Sequence, residues 1–291
     1  MKIPMTDFCI SNSKKIDLKK IPTKIDPLYD SKDEFLEMLE KHISEMSALQ
    51  DRFFAMKQFA LLIIFQAMDA AGKDGMIKHV LTGINPQGCQ VFNFKVPSSE
   101  ELAHDFLWRT NRCLPKRGEI VIFNRSYYEE VLIVKVHQAL LKVQGIPENI
   151  LSSKNFWKWR YHSIVELEKH LYRNGTQIIK IFLHLSKEEQ AKRFLKRIDD
   201  KDKNWKFSGA DIQERRYWDD YQKEYEKCIY LTSTDQAPWY IVPADDKKNA
   251  RLIVSQIFLE TLRQLPLRYP KADLKHFQEL KSIQKTLQKE K

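Results

Sequence analysis

The sequence predicts an α/β protein with a doubly wound parallel sheet, and three observations carry that prediction. Short apolar runs, partly β-branched, recur along the chain as fully buried parallel strands do. Helical stretches separate them, so strands and helices alternate. The run at 59–65 opens directly into Ala70-Ala71-Gly72-Lys73-Asp74-Gly75, and an apolar-periodic helix begins at Met76.

Each element has its own signal. Residues 1–30 are rich in Lys, Pro and Asp without periodicity and read as an extended arm. Ser31 is placed to cap a helix running to about Lys57. Strand 59–65 follows, then a helix from Gly72, strand 89–96, a helix from Ser98, strand 120–124 and a helix from Ser126. After a break near Gly145 and Pro147 come a helix at 154–173 and strand 177–185. A helix from Ser186 enters the charge-dense segment 199–208, and another helix covers 209–228. The short strand 239–242 and a helix from Asp245 to about Leu265 complete a single domain over 31–265. Residues 266–291 form a helical tail, amphipathic from Leu274. No internal repeat is present.

Composition bounds the function. With 291 residues and 43% hydrophobic content, the chain can bury one large α/β core or two small ones. A net charge of +10 implies a polyanionic partner, whether nucleic acid, an anionic membrane or a phosphate-rich substrate. Cys9, Cys89, Cys113 and Cys228 are scattered, which suggests neither a disulfide framework nor a zinc site. The start lacks the apolar core of a signal peptide, and no apolar run approaches the ~20 residues that span a bilayer. A cytoplasmic protein with reduced thiols is the expectation.

The chemistry concentrates after the first strand. Strand, tight loop and helix N-terminus form an anion cradle: free N–H groups converge, the helix dipole favours negative charge, and Lys73 adds a cation. The strict phosphate-loop pattern, G-x-x-x-x-G-K-[ST], is met at Gly72-Lys73, but Ala67 replaces the first Gly and Asp74 the hydroxyl residue. Read blandly, this is a strand-to-helix turn with Asp74 as a cap and Lys73 solvated. Asp69 decides between the readings. A carboxylate inside a phosphate loop repels its own ligand unless a cation lies between them, so magnesium, or manganese in its place, is the expected cofactor with Asp69 as its carboxylate.

Further candidates stand at other strand ends, where ligands of open α/β sheets collect. Strand 120–124 ends in Asn124-Arg125, where a metal-holding Asp would be usual; Glu129 and Glu130 fit as first-turn acids complementing a helix dipole. Lys95 stands at a third strand end, with Arg109 on the following helix. His104 has no second ligand at metal spacing and reads as a surface or packing residue. Arg193 and Arg197 share a helix face, and Lys201, Lys203 and Lys206 follow in a loop with Trp205. This cluster reads as a mobile lid whose guanidinium forks suit phosphate oxygens, against the bland alternative of a solvated charge run.

Together these residues resemble the polyphosphate kinase 2 family, phosphotransferases that move phosphate between inorganic polyphosphate and nucleotides. The resemblance covers about residues 31–265. It rests on D-A-A-G-K-D-G with Lys78 following, I-N-P-Q-G at 84–88, F-K-V-P and F-L-W-R, F-N-R-S-Y-Y-E, D-K-N-W-K-F-S, and A-P-W-Y-I-V-P-A-D-D-K-K at 237–248. Asn124, where other members carry aspartate, is similar to the subgroup that phosphorylates nucleoside mono- and diphosphates. The resemblance implies a thymidylate-kinase-like core, a helical lid at about 191–228 over a channel, and dimers or tetramers. It implies AMP and ADP as acceptors, with their guanine counterparts.

On this reading Lys73 and the amides of Ala70, Ala71, Gly72, Asp74 and Gly75 hold the donor or transferring phosphate. Arg125, Arg193 and Arg197 stabilise its oxygens, Asn124 borders the nucleotide, and Lys78, Lys95, Arg109, Lys203 and Lys206 line the polyanion's path. The rival on the same fold is an ATP-dependent nucleoside monophosphate kinase, against which the altered loop argues. Nucleic-acid binding, suggested by net charge and by Trp205 and Trp239, lacks a reader motif, and no nucleic acid or membrane partner is expected.

Overall fold

The computed structural model describes residues 3–10, 15–202, 204–271 and 273–290. Six strands form one sheet: β1 (Cys9–Ile10), β2 (Ala60–Ala67), β3 (Cys89–Asn93), β4 (Ile120–Asn124), β5 (Thr176–His184) and β6 (Trp239–Pro243). Their order is β1-β6-β5-β2-β4-β3, and all neighbours are parallel except β1 with β6. The strand that feeds the phosphate-type loop therefore lies inside the sheet. On β2, side chains alternate between two cores: Leu61, Ile63 and Phe65 face one, and Leu62 and Ile64 the other. A near-continuous apolar run is thus what a strand covered on both faces requires.

One core is roofed by the helices Lys32–Met56, Lys73–Val80 and Lys247–Arg263. The other is covered by Phe156–Arg173 and Trp218–Thr232, with the turn Tyr127–Val131 between sheet and helices. Ser31 caps the first long helix by accepting from the Glu34 N–H. Among the expectations that change here, the helix from Ser98 is two short pieces, Ser99–Leu102 and Trp108–Asn111. The stretch 209–228 is divided into Gly209–Arg215 and Trp218–Thr232. The helix from Ser126 is a 3-10 turn followed by the short Ile133–Val136.

The described residues of the N-terminal arm include two 3-10 turns, Met5–Asp7 and Leu18–Lys20, and are tied to the domain at several points. β1 pairs Cys9 with Tyr240 and Ile10 with Trp239, adding a sixth strand to the five expected. Leu18 is buried, its N–H donates to Glu226 at 2.8 Å, and His184 bonds the Leu18 and Ile21 carbonyls. A two-residue strand has no periodicity to read, so only its long-range partner defines it.

Behind β4 and β5 lies a charged pair with no exposure to water worth counting: Lys180 is 0% and Glu168 1% exposed. Lys180 Nζ donates to Glu168 Oε2 at 2.6 Å, to the Tyr128 hydroxyl at 3.1 Å and to the Thr232 carbonyl at 2.6 Å, which uses all three of its protons. The hydroxyls of Tyr127 and Tyr128 both donate to Glu168 Oε1, at 2.9 and 2.7 Å. A buried pair this well satisfied is tolerated, whereas removing one member strands the other charge. Lys180→Met is therefore expected to lower unfolding free energy by about 3–5 kcal/mol, measured by urea denaturation. Adding Glu168→Gln to that variant should recover part of the loss.

Candidate active site

β2 and β4 run in register, Leu61 with Ile120 through Phe65 with Asn124, so their carboxyl ends deliver Asp69 and Arg125 to the same edge. After β2 the chain turns sharply. Gly72, with φ 96° and ψ 26°, caps the helix that begins at Lys73. Ala70 is also left-handed, with φ 61°. For a side-chain-bearing residue that conformation costs about 1–3 kcal/mol and persists only where surroundings enforce it. Lys73 Nζ folds back on the Ala67 carbonyl at 2.9 Å and the Met68 carbonyl at 3.5 Å. Burial and the Arg125 charge push its ammonium below the usual lysine value, while Asp69, Glu129 and Asp74 oppose them.

Arg125 leaves β4 in a left-handed conformation too, φ 66°, with its N–H on the Phe65 carbonyl at 3.0 Å. Its guanidinium stands between two carboxylates, 3.3 Å from Asp69 Oδ1 and 3.5 Å from Glu129 Oε2. Glu129 raises the arginine's pKa against the effect of burial, with Asp69 adding to it. Burial in turn raises the Glu129 carboxyl, opposed by Arg125 and Lys73. Glu130 goes elsewhere: it accepts from Arg160 at 2.7 Å and from Gln144 at 2.7 Å. Dipole complementarity alone therefore does not describe Glu129 or Glu130, since each has an arginine partner. Above the Asp69–Arg125–Glu129 group opens a cleft of about 290 Å³, also lined by Arg215, Tyr221 and Tyr225. None of those three stood out in the sequence, because nothing local marks a helix residue that tertiary packing turns toward a strand end.

One departure from the strict loop pattern, Asp74, and the departure at the end of strand 120–124, Asn124, turn out to be partners. Asn124 Nδ2 donates to Asp74 Oδ1 at 2.7 Å. The carboxylate that replaces the loop's hydroxyl is thus met by the amide that replaces the strand's carboxylate.

Other candidates fall in different places. The lid arginine Arg193 is a correction: it is nearly buried, at 9% exposure, and its donors are turned onto protein acceptors. Nε bonds Glu189 at 2.9 Å, Nη1 the carbonyls of Ala70 and Ala71 at 3.1 and 2.9 Å, and Nη2 those of Ala244 and Asp245 at 2.6 and 3.1 Å. A guanidinium has five N–H donors, and protein acceptors take all of them. Arg197 lies 5.8 Å from the Phe194 ring centroid. Arg109 bonds the Lys95 carbonyl at 2.8 Å, pairs with Glu101 at 3.6 Å and covers Phe94. Lys78, Lys95 and Gly75 are exposed. Lys203 and the side chain of Lys206 lie outside the described residues. His104 stacks on Trp108 with ring centroids 4.0 Å apart, in keeping with a packing role.

A glycine-turned loop joins a central parallel strand to a helix, and lysine and arginine stand with it at the sheet's carboxyl edge. The chain matches the description "Polyphosphate kinase 2 (PPK2)" over residues 29–268. It is 56% identical over 289 residues to an ADP-polyphosphate phosphotransferase of Rhodopseudomonas palustris, covering 99% of this chain and 100% of that one. To an AMP/ADP-polyphosphate phosphotransferase of Meiothermus ruber it is 40% identical, covering 92% and 97% respectively. The crystal structure of polyphosphate kinase 2 from Arthrobacter aurescens superposes with a TM-score of 0.83 at 38% identity, covering 92% of this chain and 91% of that chain. The protein belongs to the polyphosphate kinase 2 family.

The Asp74–Asn124 contact has a measurable consequence. Asn124→Asp sets two carboxylates against each other and deletes a hydrogen bond at a buried residue. A loss of about 1–3 kcal/mol is expected by thermal unfolding in chelator, while Asn124→Ala should cost less than the aspartate.

Proposed function

We propose that the protein transfers phosphate reversibly between inorganic polyphosphate and nucleotides, taking AMP to ADP and ADP to ATP, with GMP and GDP as further acceptors. One geometric observation supports this beyond family membership: the Lys73 cradle opens beside a cleft at whose base Asp69 and Arg125 meet. Both bonds exchanged are phosphoanhydrides, so the reaction runs near balance. The attacking nucleotide oxygen is already ionised near neutral pH, and no strong base is required. The obstacle is repulsion between two anions, so positioning and charge neutralisation carry catalysis.

Lys73 and the loop amides take the transferring phosphate, the lysine exchanging the Ala67 and Met68 carbonyls for phosphate oxygens. Arg125 bridges toward the acceptor, where Tyr221 and Tyr225 offer stacking faces and Arg215 a guanidinium. On the far side of Arg193, Lys192, Lys196, Lys247 and Lys248 line a basin of about 490 Å³. The carboxylates there are already engaged, Asp245 by Thr23 and the Ser186 N–H, Asp246 by the Lys248 and Asn249 N–H groups. Burial, then the charges of Arg193 and Lys196, lower the Lys247 pKa. This basin, with exposed Lys78 and Lys95, gives a long polyanion its path.

Among the described residues no group of three or more His, Cys, Asp or Glu side chains is placed to hold a metal ion. Magnesium needs only one or two protein carboxylates when phosphates complete its shell, and Asp69, with a hard oxygen and 39% side-chain exposure, fits that demand. When bound, magnesium or manganese neutralises phosphate oxygens. A homodimer or homotetramer belongs to the same proposal, supported by the exposed apolar residues Leu274, Phe277, Leu280, Ile283 and Leu287 on the tail helix. Cytoplasmic placement is supported by the free state of all four cysteines. No helix among the described residues is long and apolar enough to cross a membrane.

Lys73→Ala and Asp69→Asn should each lower turnover about 10²–10³-fold while leaving the fold intact, because each removes charge compensation in the site. Initial rates with polyphosphate, magnesium and ADP check this; more than half the parental rate in either variant removes that residue from the site. With polyphosphate as the sole donor, AMP should pass to ADP and then to ATP, followed by chromatography. Phosphorylation of AMP from ATP but not from polyphosphate would instead indicate the ordinary nucleotide kinase.

A further inference from the structure

Three consecutive carbonyls of the phosphate loop are gripped from behind by one helix. Gln190 Nε2 donates to the Asp69 carbonyl at 3.0 Å, and Arg193 Nη1 donates to those of Ala70 and Ala71. Both side chains are buried, at 2% and 9% exposure, and both come from Lys187–Asp199, three positions apart on one face. The grip is itself held. Arg215 Nη1 donates to Gln190 Oε1 at 2.7 Å and to the Lys187 carbonyl at 2.8 Å. An arginine can only donate, so this contact orients the amide with its Nε2 toward Asp69. Arg193 Nη2 ties the same assembly to the loop after β6 through Ala244 and Asp245.

A trans peptide is planar, and the carbonyl of one residue points opposite to the N–H of the next. Carbonyls of Asp69, Ala70 and Ala71 that face the helix therefore direct the N–H groups of Ala70, Ala71 and Gly72 away from it. The Ala71 N–H closes a turn on the Met68 carbonyl at 3.3 Å. By planarity alone, those of Ala70 and Gly72 point opposite to the gripped carbonyls. The left-handed φ of Ala70, 61°, is the local cost of that arrangement.

We propose that Gln190 and Arg193 are positioning residues for phosphate transfer: by fixing three outward carbonyls they aim the loop's amides at the transferring phosphate. The proposal rests on the reading that this loop holds the donor phosphate. Arg193 does so without touching the ligand, since its donors are committed to protein.

Arg193→Lys keeps the positive charge but has three donors for the five acceptors that the guanidinium serves. Gln190→Ala removes one neutral hydrogen bond and serves as the second variant should the first fail to fold. The measurements are steady-state kinetics with polyphosphate and ADP, hydrogen exchange of the peptide spanning residues 68–75, and thermal unfolding. For Arg193→Lys, turnover is expected to fall about 10²-fold with little change in apparent KM for polyphosphate, as for a misplaced catalytic group. Gln190→Ala should lower turnover about tenfold, the equivalent of one modest hydrogen bond, with an unfolding temperature lowered by only a few degrees. Loop exchange should accelerate in both, and the double variant should lose less than the product of the single effects. Turnover above half the parental value in both variants overturns the proposal, as does slowed turnover with unchanged loop exchange. A direct phosphate ligand would show the opposite pattern, with KM for polyphosphate rising and lysine substituting well for arginine. If the unaltered protein transfers nothing from polyphosphate, the functional reading fails, and the exchange data still decide whether these side chains hold the loop.

Discussion

One guanidinium joins the parts of this molecule that must agree. The five N–H bonds of Arg193 reach the loop after β2, the loop after β6 and its own helix through Glu189. A phosphate loop works only when its peptide dipoles point one way, and free peptides have no reason to align against mutual repulsion. Alignment has to be imposed from outside the loop. Here the carbonyl ends are engaged from the rear; on the proposed reading the N–H ends then need no reorganisation when a phosphate arrives.

The same economy governs the carboxylates. On the proposed reading, a phosphate site that contains Asp69, Asp74 and Glu129 needs a counterpart for each that still leaves the phosphate attracted. Arg125 stands between Asp69 and Glu129, and Asn124 donates to Asp74. Arg125 is thus a balance for two acids and, at the cleft's base, a cation available to an incoming anion. Its left-handed backbone, anchored by the Phe65 carbonyl, places the guanidinium at the junction of cradle and cleft.

Behind that junction the Lys180–Glu168 pair fixes Tyr127 and Tyr128, the residues that follow Arg125-Ser126 in the chain. Thr232, which accepts from Lys180, ends the helix whose middle brings Tyr221 and Tyr225 to the cleft. Strand end, tyrosine pair and the helix Trp218–Thr232 are therefore referred to one buried point. Charged groups are costly interior material, but their directional demands tie several elements to one geometry in a way that apolar packing does not.

Local sequence alone determined the sheet's five parallel strands, the loop at Ala70–Gly75 and the basic character of the chain. Each depends on side chains close in sequence: strand periodicity, small residues before a helix, and net charge. Even the pairing of unusual residues was visible as two separate departures, Asp74 and Asn124, though their contact was not. Tertiary structure decided what those groups face. Arg193 reads as a phosphate ligand on a helix wheel, and only the packing of its helix beneath the loop gives its donors five protein acceptors. Gln190, Arg215, Tyr221 and Tyr225 carry no local signature, because direction in space is set by the helix a residue rides on and by the sheet that helix crosses. The two-residue β1 exists for the same reason: its hydrogen bonds belong to Tyr240 and Trp239, more than two hundred positions away.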